Sequence, residues 1–243
     1  MNKIWTFGDS FTYGAGCNDY DDYYKNYPKK RGLKFNKILS NHYELPLKDF
    51  SRDGASNAWI LRQMVNNIHK FEEGDIISIN LTDKFRLEMP NPHQLDDLQP
   101  ILSHSAHKEN PVFGEFEPNG NENDAVYSYV KYIHMMDVED KDIKTTGYEV
   151  LYKLYMNQFD SICKLLSKLN VKYVLWDWQD FALPGPFGSN NTRYDNITSC
   201  TNGEMDDFHL SWKGHIELSN DLITCLDNNI QHLADIYRNE SII

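Results

Sequence analysis

The stretch IWTFGDSFTYG, residues 4–14, decides the predicted fold. Its apolar run from Ile4 to Phe7 is short and stops at Gly8, a pattern typical of a buried strand followed by a turn. Asp9 and Ser10 come directly after this run. The sequence therefore places a hydroxyl at the carboxyl end of a first strand, and the rest of the chain indicates which sheet that strand joins.

Strands and helices alternate along the chain. Short apolar runs predict further buried strands over Leu47–Phe50, Asp75–Leu81 and Val171–Trp176. Apolar residues at helical spacing predict helices near Phe35–Leu39, over Ala58–Ile68, over Tyr148–Leu169 and over Trp212–Tyr237. Such alternation indicates right-handed crossovers, and hence an α/β fold with a mostly parallel sheet and helices on both faces. Binding sites in such folds gather beyond the carboxyl ends of the strands.

Chain length and charge favour a single domain, residues 1–243, that carries an insertion after strand 3. Residues 89–147 have no strong hydrophobic period and are predicted to be this insertion, in the form of a long loop. The chain has 24 Lys and Arg against 36 Asp and Glu, a formal charge of -12. Residues 89–150 hold 4 basic and 12 acidic side chains, so two thirds of the net charge lies in about a quarter of the chain.

This acidity argues against nucleic acid as a partner, because binding to phosphate backbones requires Lys and Arg, and it disfavours anionic membranes. No run of 18 apolar residues and no signal peptide is recognisable, so neither a membrane span nor secretion is expected. The 4 cysteines are scattered without a CxxC pair and are expected to be reduced, structural thiols.

Ser10 and His209 are the residues on which a chemical prediction can be based. A hydroxyl at the edge of the sheet becomes a nucleophile if a base lies nearby, whereas without a base Asp9 and Ser10 merely cap a helix. Near the other end of the chain, MDDFHLSWKGH places Asp206 three residues before His209. A carboxylate there can hold the imidazole tautomer that accepts a proton from Ser10, and Asp207 is its neighbouring rival.

These blocks resemble the GDSL/SGNH hydrolase superfamily. Gly8, Asp9 and Ser10 match the first block, Gly54 in SRDGASN matches the glycine of the second block, and DxxH before the final helix matches the last. The order of the blocks covers the chain from residue 4 to about residue 230. The resemblance implies a three-layer α/β/α sandwich of flavodoxin-like type. It also implies a Ser10, His209 and Asp206 triad, with backbone N–H groups of Ser10 and Gly54 in the oxyanion hole.

The third block departs from the family pattern. GxND is usual after strand 3, whereas this chain reads INLTDKFRLE, with Asn80 at the glycine position and Thr82 at the asparagine position. Some members, often phage-encoded, look like GWTSPxRxE there, and Thr82, Arg86 and Glu88 match that variant. A Thr hydroxyl can donate, so Thr82 is expected to complete the oxyanion hole, with Asn80 as the alternative donor. Loss of a donor costs roughly a hundredfold in rate, so weak activity would follow if neither serves.

The resemblance implies a serine esterase that works through an acyl-enzyme. The expected substrate is a small-molecule or glycan ester, foremost an O-acetyl group on a carbohydrate, because the acidic insertion offers no apolar lid for lipid aggregates. Candidate substrate-binding residues are Asp9, Asn57, Arg86 and Trp178, although for Arg86 an ion pair with Glu88 is slightly favoured over a substrate contact.

Other readings stay open. Because the third block is altered, a second hypothesis is that the protein is an impaired esterase scaffold that serves as a glycan-binding or virion structural module. A thioesterase or lipid esterase is favoured if aromatic loops, among them Tyr13, Tyr20, Tyr23, Tyr24, Tyr27, Trp176, Trp178, Phe181 and Phe187, enclose a narrow tunnel. A cytoplasmic or virion-associated protein is expected, and its oligomeric state is open.

No metal or cofactor is expected. The insertion contains His93, His104, His107 and His134, and Asp96 or Glu109 could supply oxygen ligands. The segment has no helical period that would align the histidines, so solvated side chains are the better prediction. His215, six residues beyond His209, is expected to be structural.

Overall fold

The computed structural model describes residues 1–15, 17, 32–82, 86–91, 94–104, 112–113, 138–140, 143–145, 147–177, 193–197 and 209–236. Its strands are β1 (Ile4–Gly8), β2 (Leu47–Ser51), β3 (Ile76–Leu81), β4 (Arg86–Asn91), β5 (Gln94–His104), β6 (Val112–Phe113), β7 (Val138–Asp140), β8 (Ile143–Thr145) and β9 (Lys172–Asp177). Its helices are α1 (Ser10–Tyr13), α2 (Phe35–His42), α3 (Asn57–Asn67), α4 (Gly147–Lys168) and α5 (Trp212–Asp227), with a 3₁₀ turn at Ile68–Lys70.

Four parallel strands form the main sheet in the order β2-β1-β3-β9. The prediction of an α/β fold with a parallel sheet is confirmed. Every residue of β1 and β3 is buried, as expected for central strands covered on both sides. The chain builds outward from β1 to β2 and then returns to the other side of β1 with β3, so the direction of building reverses between β1 and β3. In open α/β sheets, such a reversal leaves a crevice at the carboxyl ends of the two strands.

Alternate residues of the strands enter two separate apolar clusters, because successive side chains of a strand point to opposite faces. Ile4, Ile76 and Val174 belong to one cluster together with residues of α2 and α5. Trp5 and Ile77 belong to the other, together with residues of α3 and α4. The four long helices therefore supply the apolar faces that cover the sheet.

A short segment after α5 extends the sheet beyond β9. His232 forms a parallel bridge with Leu175, the N–H of Leu175 donates to the carbonyl of Gln231 at 2.8 Å, and the N–H of Leu233 donates to Leu175 at 3.0 Å. The predicted closing helix over Trp212–Tyr237 is therefore too long. It ends at Asp227, and Asn229 just beyond it has a φ of 56°, the left-handed backbone that typically terminates helices.

The region after β3 is more regular than the predicted long loop. β4 pairs with β5 and β5 with β6 in antiparallel fashion, and β7 and β8 form a second antiparallel pair. Pro90 and Pro100 lie within β4 and β5. Proline removes a ladder N–H and lowers the strand signal of a sequence, so these strands arise from their pairing with neighbours rather than from local propensity.

Cys17, Cys163 and Cys225 are buried free thiols, in line with the structural role expected for them. Among the described residues, no helix is both long and apolar enough to span a membrane.

Candidate active site

Loops that follow β1, β2 and β3 meet at one edge of the sheet because the three strands are parallel and in close register. Gly8 at the end of β1 lies opposite Ser51 at the end of β2, and Phe7 lies opposite Ile79 of β3. The loop residues that follow are Asp9 and Ser10, then Gly54, then Thr82. The first three predicted blocks are thus brought to the same sheet edge, at the reversal between β1 and β3.

Ser10 is the first residue of α1, a single helical turn. Asp9 caps this turn, accepting the N–H of Phe11 at 3.0 Å, and Gly14 ends it in the left-handed conformation. Ser10 itself is 1% exposed. The turn lies so close to β3 that a Cβ added at Gly8 would lie 2.1 Å from Oγ1 of Thr12 and 2.8 Å from Cβ of Asn80. Glycine is therefore required at position 8 for the turn to sit on the end of β3.

His209 comes to this edge from far along the chain. Its carbonyl accepts the N–H of Ile197 at 2.9 Å, and Asp195 accepts the N–H of Ser211 at 3.1 Å, so a two-stranded pairing fixes the segment just before α5. The imidazole packs against the ring of Phe11, with ring centroids 4.8 Å apart. The histidine is thereby brought next to the residue that follows Ser10.

A second contact ties the same two segments together. Sγ of the buried Cys17 donates to the carbonyl of Leu210 at 3.1 Å. Leu210 follows His209, and Cys17 lies shortly after α1. The serine and histidine blocks are therefore joined by a hydrogen bond as well as by their ring contact.

His215 occupies a different environment from His209. It is fully buried in α5, its ring lies 6.0 Å from that of Phe35 and 6.2 Å from that of Trp212, and its Nδ1 accepts the N–H of Phe35 at 3.5 Å. Burial, together with the nearby Lys34 and His209, lowers the pKa of His215 to about 3. An imidazole with so low a pKa is a poor proton acceptor near neutral pH, so this residue packs α5 against α2 as expected.

Gly54 has the backbone geometry that the second block needs. It is buried in the loop between β2 and α3, with a φ of 70°. A side chain would strain this left-handed conformation, which explains glycine at this position. Ser56 then caps α3, accepting the N–H of Trp59 at 3.1 Å.

The hydroxyl of Thr82, predicted to donate to the oxyanion, is hydrogen-bonded within the protein. Its Oγ1 donates to Oδ2 of Asp9 at 2.7 Å. A hydroxyl has only one proton, so in this arrangement Thr82 does not donate to an oxyanion. Asn80, the alternative, donates from Nδ2 to Oδ1 of Asp9 at 2.6 Å, and its Oδ1 is one of the buried polar atoms among the described residues without a hydrogen-bond partner.

Asp9 and Asn57 are predicted to bind substrate, and in the structure both side chains form hydrogen bonds with other residues of the protein. Asp9 has no exposure and accepts from Phe11, Asn80 and Thr82. Asn57 is 1% exposed, and its side chain binds the backbone of Thr82: it donates to the carbonyl at 2.7 Å and accepts the N–H at 2.9 Å. Both side chains therefore hold loops of the candidate site together.

The remaining predicted residues are only partly placed. Arg86 is the first residue of β4, opposite Leu102 of β5. Asp206, its rival Asp207 and Trp178 lie outside the described residues. So do His93, His107 and His134, whereas His104 ends β5. Within the described ranges, no three His, Cys, Asp or Glu side chains are grouped as a metal site would require.

Asp195 is a supporting residue that sequence reasoning missed. Its carboxylate accepts from Oγ of Ser211, the residue that caps α5, and its N–H donates to Glu217 at 2.9 Å. Lys213 lies 3.8 Å from Asp195 and 3.3 Å from Glu217. No motif or spacing signals this contact, because it joins a loop to a helix start that only the tertiary structure brings together.

No protein-family model matches the chain, and no curated protein is significantly similar to it. Any hypothesis about the function of this edge of the sheet therefore depends on its geometry and on the sequence blocks that contain Ser10, Gly54, Thr82 and His209.

Proposed function

We propose that this protein is a serine esterase of the SGNH type, a hydrolase acting on ester bonds. The observation that supports the proposal best is the contact between the rings of His209 and Phe11, because it brings a histidine against the residue that follows Ser10, near the carboxyl ends of β1 and β3. A nucleophile with a base in reach at the carboxyl edge of a parallel sheet is the arrangement that acyl transfer requires.

The finer fold belongs to the same proposal, a three-layer α/β/α sandwich of flavodoxin-like type. The order β2-β1-β3-β9, continued by the bridge at His232, agrees with the 2-1-3-4-5 order of such sheets. The two apolar clusters, each lined by helices, are compatible with helical layers on both faces.

In the proposed reaction, His209 takes the proton of Ser10 while the serine oxygen attacks the ester carbonyl. Asp206 orients the imidazole, and the alcohol leaves with the proton that His209 returns. Water then attacks the acyl-enzyme in the same way and releases the acid. Backbone N–H groups of Ser10 and Gly54 would hold the oxyanion, and Asn80 is the better side-chain candidate because Nδ2 has a second proton.

The proposed substrate is an O-acetyl or other short acyl ester of a carbohydrate. A polar, acidic chain segment beside the third block suits a polar alcohol better than a lipid aggregate. Acetylated oligosaccharides are therefore the substrates to test after simple aryl acetates.

Ser10→Ala tests the proposal. A fluorophosphonate probe should label the wild-type protein and not the variant, because only an activated serine attacks the phosphorus centre. Release of 4-nitrophenol from 4-nitrophenyl acetate should fall by ~10⁴-fold or more, as when other triad serines are removed.

Ser40→Ala is the matched control. Ser40 is a buried serine in α2 that donates to the carbonyl of Leu45 at 2.7 Å, away from the site. This variant should retain labelling and turnover. Unchanged turnover in Ser10→Ala would refute the assignment of Ser10 as the nucleophile.

A second candidate function, a glycan-binding or virion structural module on an impaired esterase scaffold, is favoured by one observation. Both side chains of the third block, Asn80 and Thr82, are bonded to Asp9 rather than standing clear as oxyanion donors. Such a module would bind oligosaccharides in titration calorimetry yet leave the fluorophosphonate probe unreacted. Probe labelling at Ser10 decides between the two candidates.

A further inference from the structure

Asp9 lies at the centre of the hydrogen bonds that join the three loops of the site. It belongs to the turn that carries Ser10, and its two partners Asn80 and Thr82 lie at the end of β3. Its third donor, the N–H of Phe11, lies within α1 itself. A carboxylate with no exposure and three donors is fully satisfied, so it has little freedom to turn towards a ligand.

Asn57 extends the connection to the third loop. It is the first residue of α3, just after the loop that carries Gly54, and its side chain makes two hydrogen bonds with the backbone of Thr82. Through Asp9 and Asn57, the loops that carry Ser10, Gly54 and Thr82 are held in one continuous network. These are the loops from which the proposed oxyanion donors come.

We propose that Asp9 is a positioning residue: its carboxylate holds the end of β3 against the turn of Ser10 and so sets the spacing of the oxyanion donors. This inference rests on the proposed esterase function, because it assigns Asp9 a task within that reaction. A carboxylate repels a forming oxyanion, so Asp9 does not stabilise it directly but acts through the residues that it holds. Its effect on rate is geometric, and a displacement of ~1 Å in a catalytic site can cost about a hundredfold.

Asp75 provides a matched control for Asp9. It also has no exposure, and it accepts from the N–H of Lys3 at 2.8 Å, Nε1 of Trp5 at 2.8 Å and the N–H of Glu72 at 3.1 Å. It precedes β3 at the amino edge of the sheet, opposite the site. Removing either carboxylate leaves buried donors unsatisfied, so both changes should lower stability, and only the change at Asp9 should impair the chemistry.

The experiment compares Asp9→Ala with Asp75→Ala on 4-nitrophenyl acetate, at a temperature where circular dichroism shows both variants to be folded. Asp9→Ala should lower kcat by ~30-fold or more with KM within about threefold, because an interaction that matters mainly in the transition state is lost. Asp75→Ala should retain kcat within about twofold of wild type. Equal kcat values in the two variants would overturn the proposal.

Thr82 supplies a second test that leaves Asp9 in place. Thr82→Val keeps the shape of the side chain and removes its bond to Asp9, whereas Thr82→Ser keeps the hydroxyl. Thr82→Val should lower kcat ~10-fold and Thr82→Ser should restore it to within about threefold. If Asp9→Ala fails to fold, this pair decides, and wild-type kcat in Thr82→Val would contradict the inference.

A double-mutant cycle separates positioning through Asp9 from direct contact between Thr82 and the oxyanion. If both residues act through their shared hydrogen bond, Asp9→Ala with Thr82→Val should be no slower than Asp9→Ala alone. Multiplied losses would show that Thr82 acts separately and would overturn the inference.

If the proposed esterase function is wrong, the experiments give a different result from the one that refutes the role of Asp9 alone. In that case the wild-type protein itself would neither hydrolyse the ester nor react with the fluorophosphonate probe. The positioning role of Asp9 would then be refuted together with the esterase function. Wild-type activity combined with a fully active Asp9→Ala variant would refute the positioning role alone.

Discussion

Two histidines six residues apart show how environment decides chemistry at the scale of single residues. His209 lies half-buried against Phe11, at the edge where Ser10 begins α1. His215 is enclosed between aromatic rings, and burial lowers its pKa to about 3. Either imidazole has the chemistry of a base; the DxxH block favours His209 in the sequence, and the packing then gives the two rings different environments.

His215 should make stability depend on pH. Its folded pKa, about 3, lies below the ordinary value of 6.5. Between these values the unfolded chain binds a proton that the folded protein does not, so the free energy of unfolding falls as pH falls, by about 1.4 kcal/mol per pH unit. This loss begins near pH 6.5 and stops near pH 3. His215→Phe should remove that component from urea unfolding curves recorded between pH 6.5 and pH 4.5.

His69→Gln, a change at an exposed histidine after α3, serves as the control for this measurement. It should keep the wild-type slope of stability against pH. An equally steep slope in His215→Phe would show that His215 is not the group responsible.

At the scale of elements, the start of α5 depends on an unusually close approach to the segment at Asp195. A Cβ added at Gly214 would lie 2.0 Å from the carbonyl oxygen of Asp195. The same segment pairs with residues 209–211, so the helix start, the loop at 195–197 and His209 form one packed unit. The histidine is therefore positioned by a helix–loop contact rather than by its own side chain alone.

Gly214→Ala should destabilise the protein, although alanine in a helix interior normally gains ~1 kcal/mol over glycine. The added methyl group meets a backbone oxygen that cannot turn aside, and overpacking of this kind costs roughly 1–3 kcal/mol. Denaturant unfolding should therefore show a net loss, and the proposed esterase activity should fall as His209 shifts.

Gly32→Ala is the matched control, because its added Cβ would lie 3.6 Å from the nearest side-chain atom, in ordinary contact with Trp212. It should change the free energy of unfolding by no more than ~0.5 kcal/mol. A Gly214→Ala variant as stable as wild type would refute the close-packing argument.

At the scale of the whole molecule, the charge is distributed unevenly along the chain. Residues 1–88 hold 13 basic and 12 acidic side chains, whereas residues 89–150 hold 4 and 12. β4, the first strand of that second region, starts only a few residues after Thr82. The chain therefore leaves the edge of the candidate site directly into its most acidic segment.

This distribution predicts discrimination against anionic esters. The protein should release acetate from methyl 3-acetoxybenzoate with a higher kcat/KM than from 3-acetoxybenzoate at low salt, after correction for the uncatalysed rates. Salt should narrow the difference, because the Debye length shortens to about 10 Å at 0.1 M. Faster hydrolysis of the anionic ester at low salt would contradict a role for the acidic segment at the rim of the site.

The elements of the main sheet were predictable because their signals are local. Ile4 to Phe7 and Asp75 to Leu81 are short apolar runs, and α4 follows from helical spacing over Tyr148–Leu169; the structure confirms a strand or helix at each place. Signals of this kind depend on neighbours a few residues apart. They fail where pairing or a single backbone conformation decides, as in β4 and β5 and at the end of α5 by Asn229.

The sequence by itself determined the parallel α/β sheet, the polar turn after its first strand, and a small set of residues with the chemistry for acyl transfer. Only the tertiary structure decided what those residues do to one another. Thr82, expected to donate to an oxyanion, donates to Asp9, and Asn57 holds the backbone of Thr82. Hydrogen bonds between residues 25 and 73 positions apart are set by the packing of strands and loops, and no local pattern encodes them.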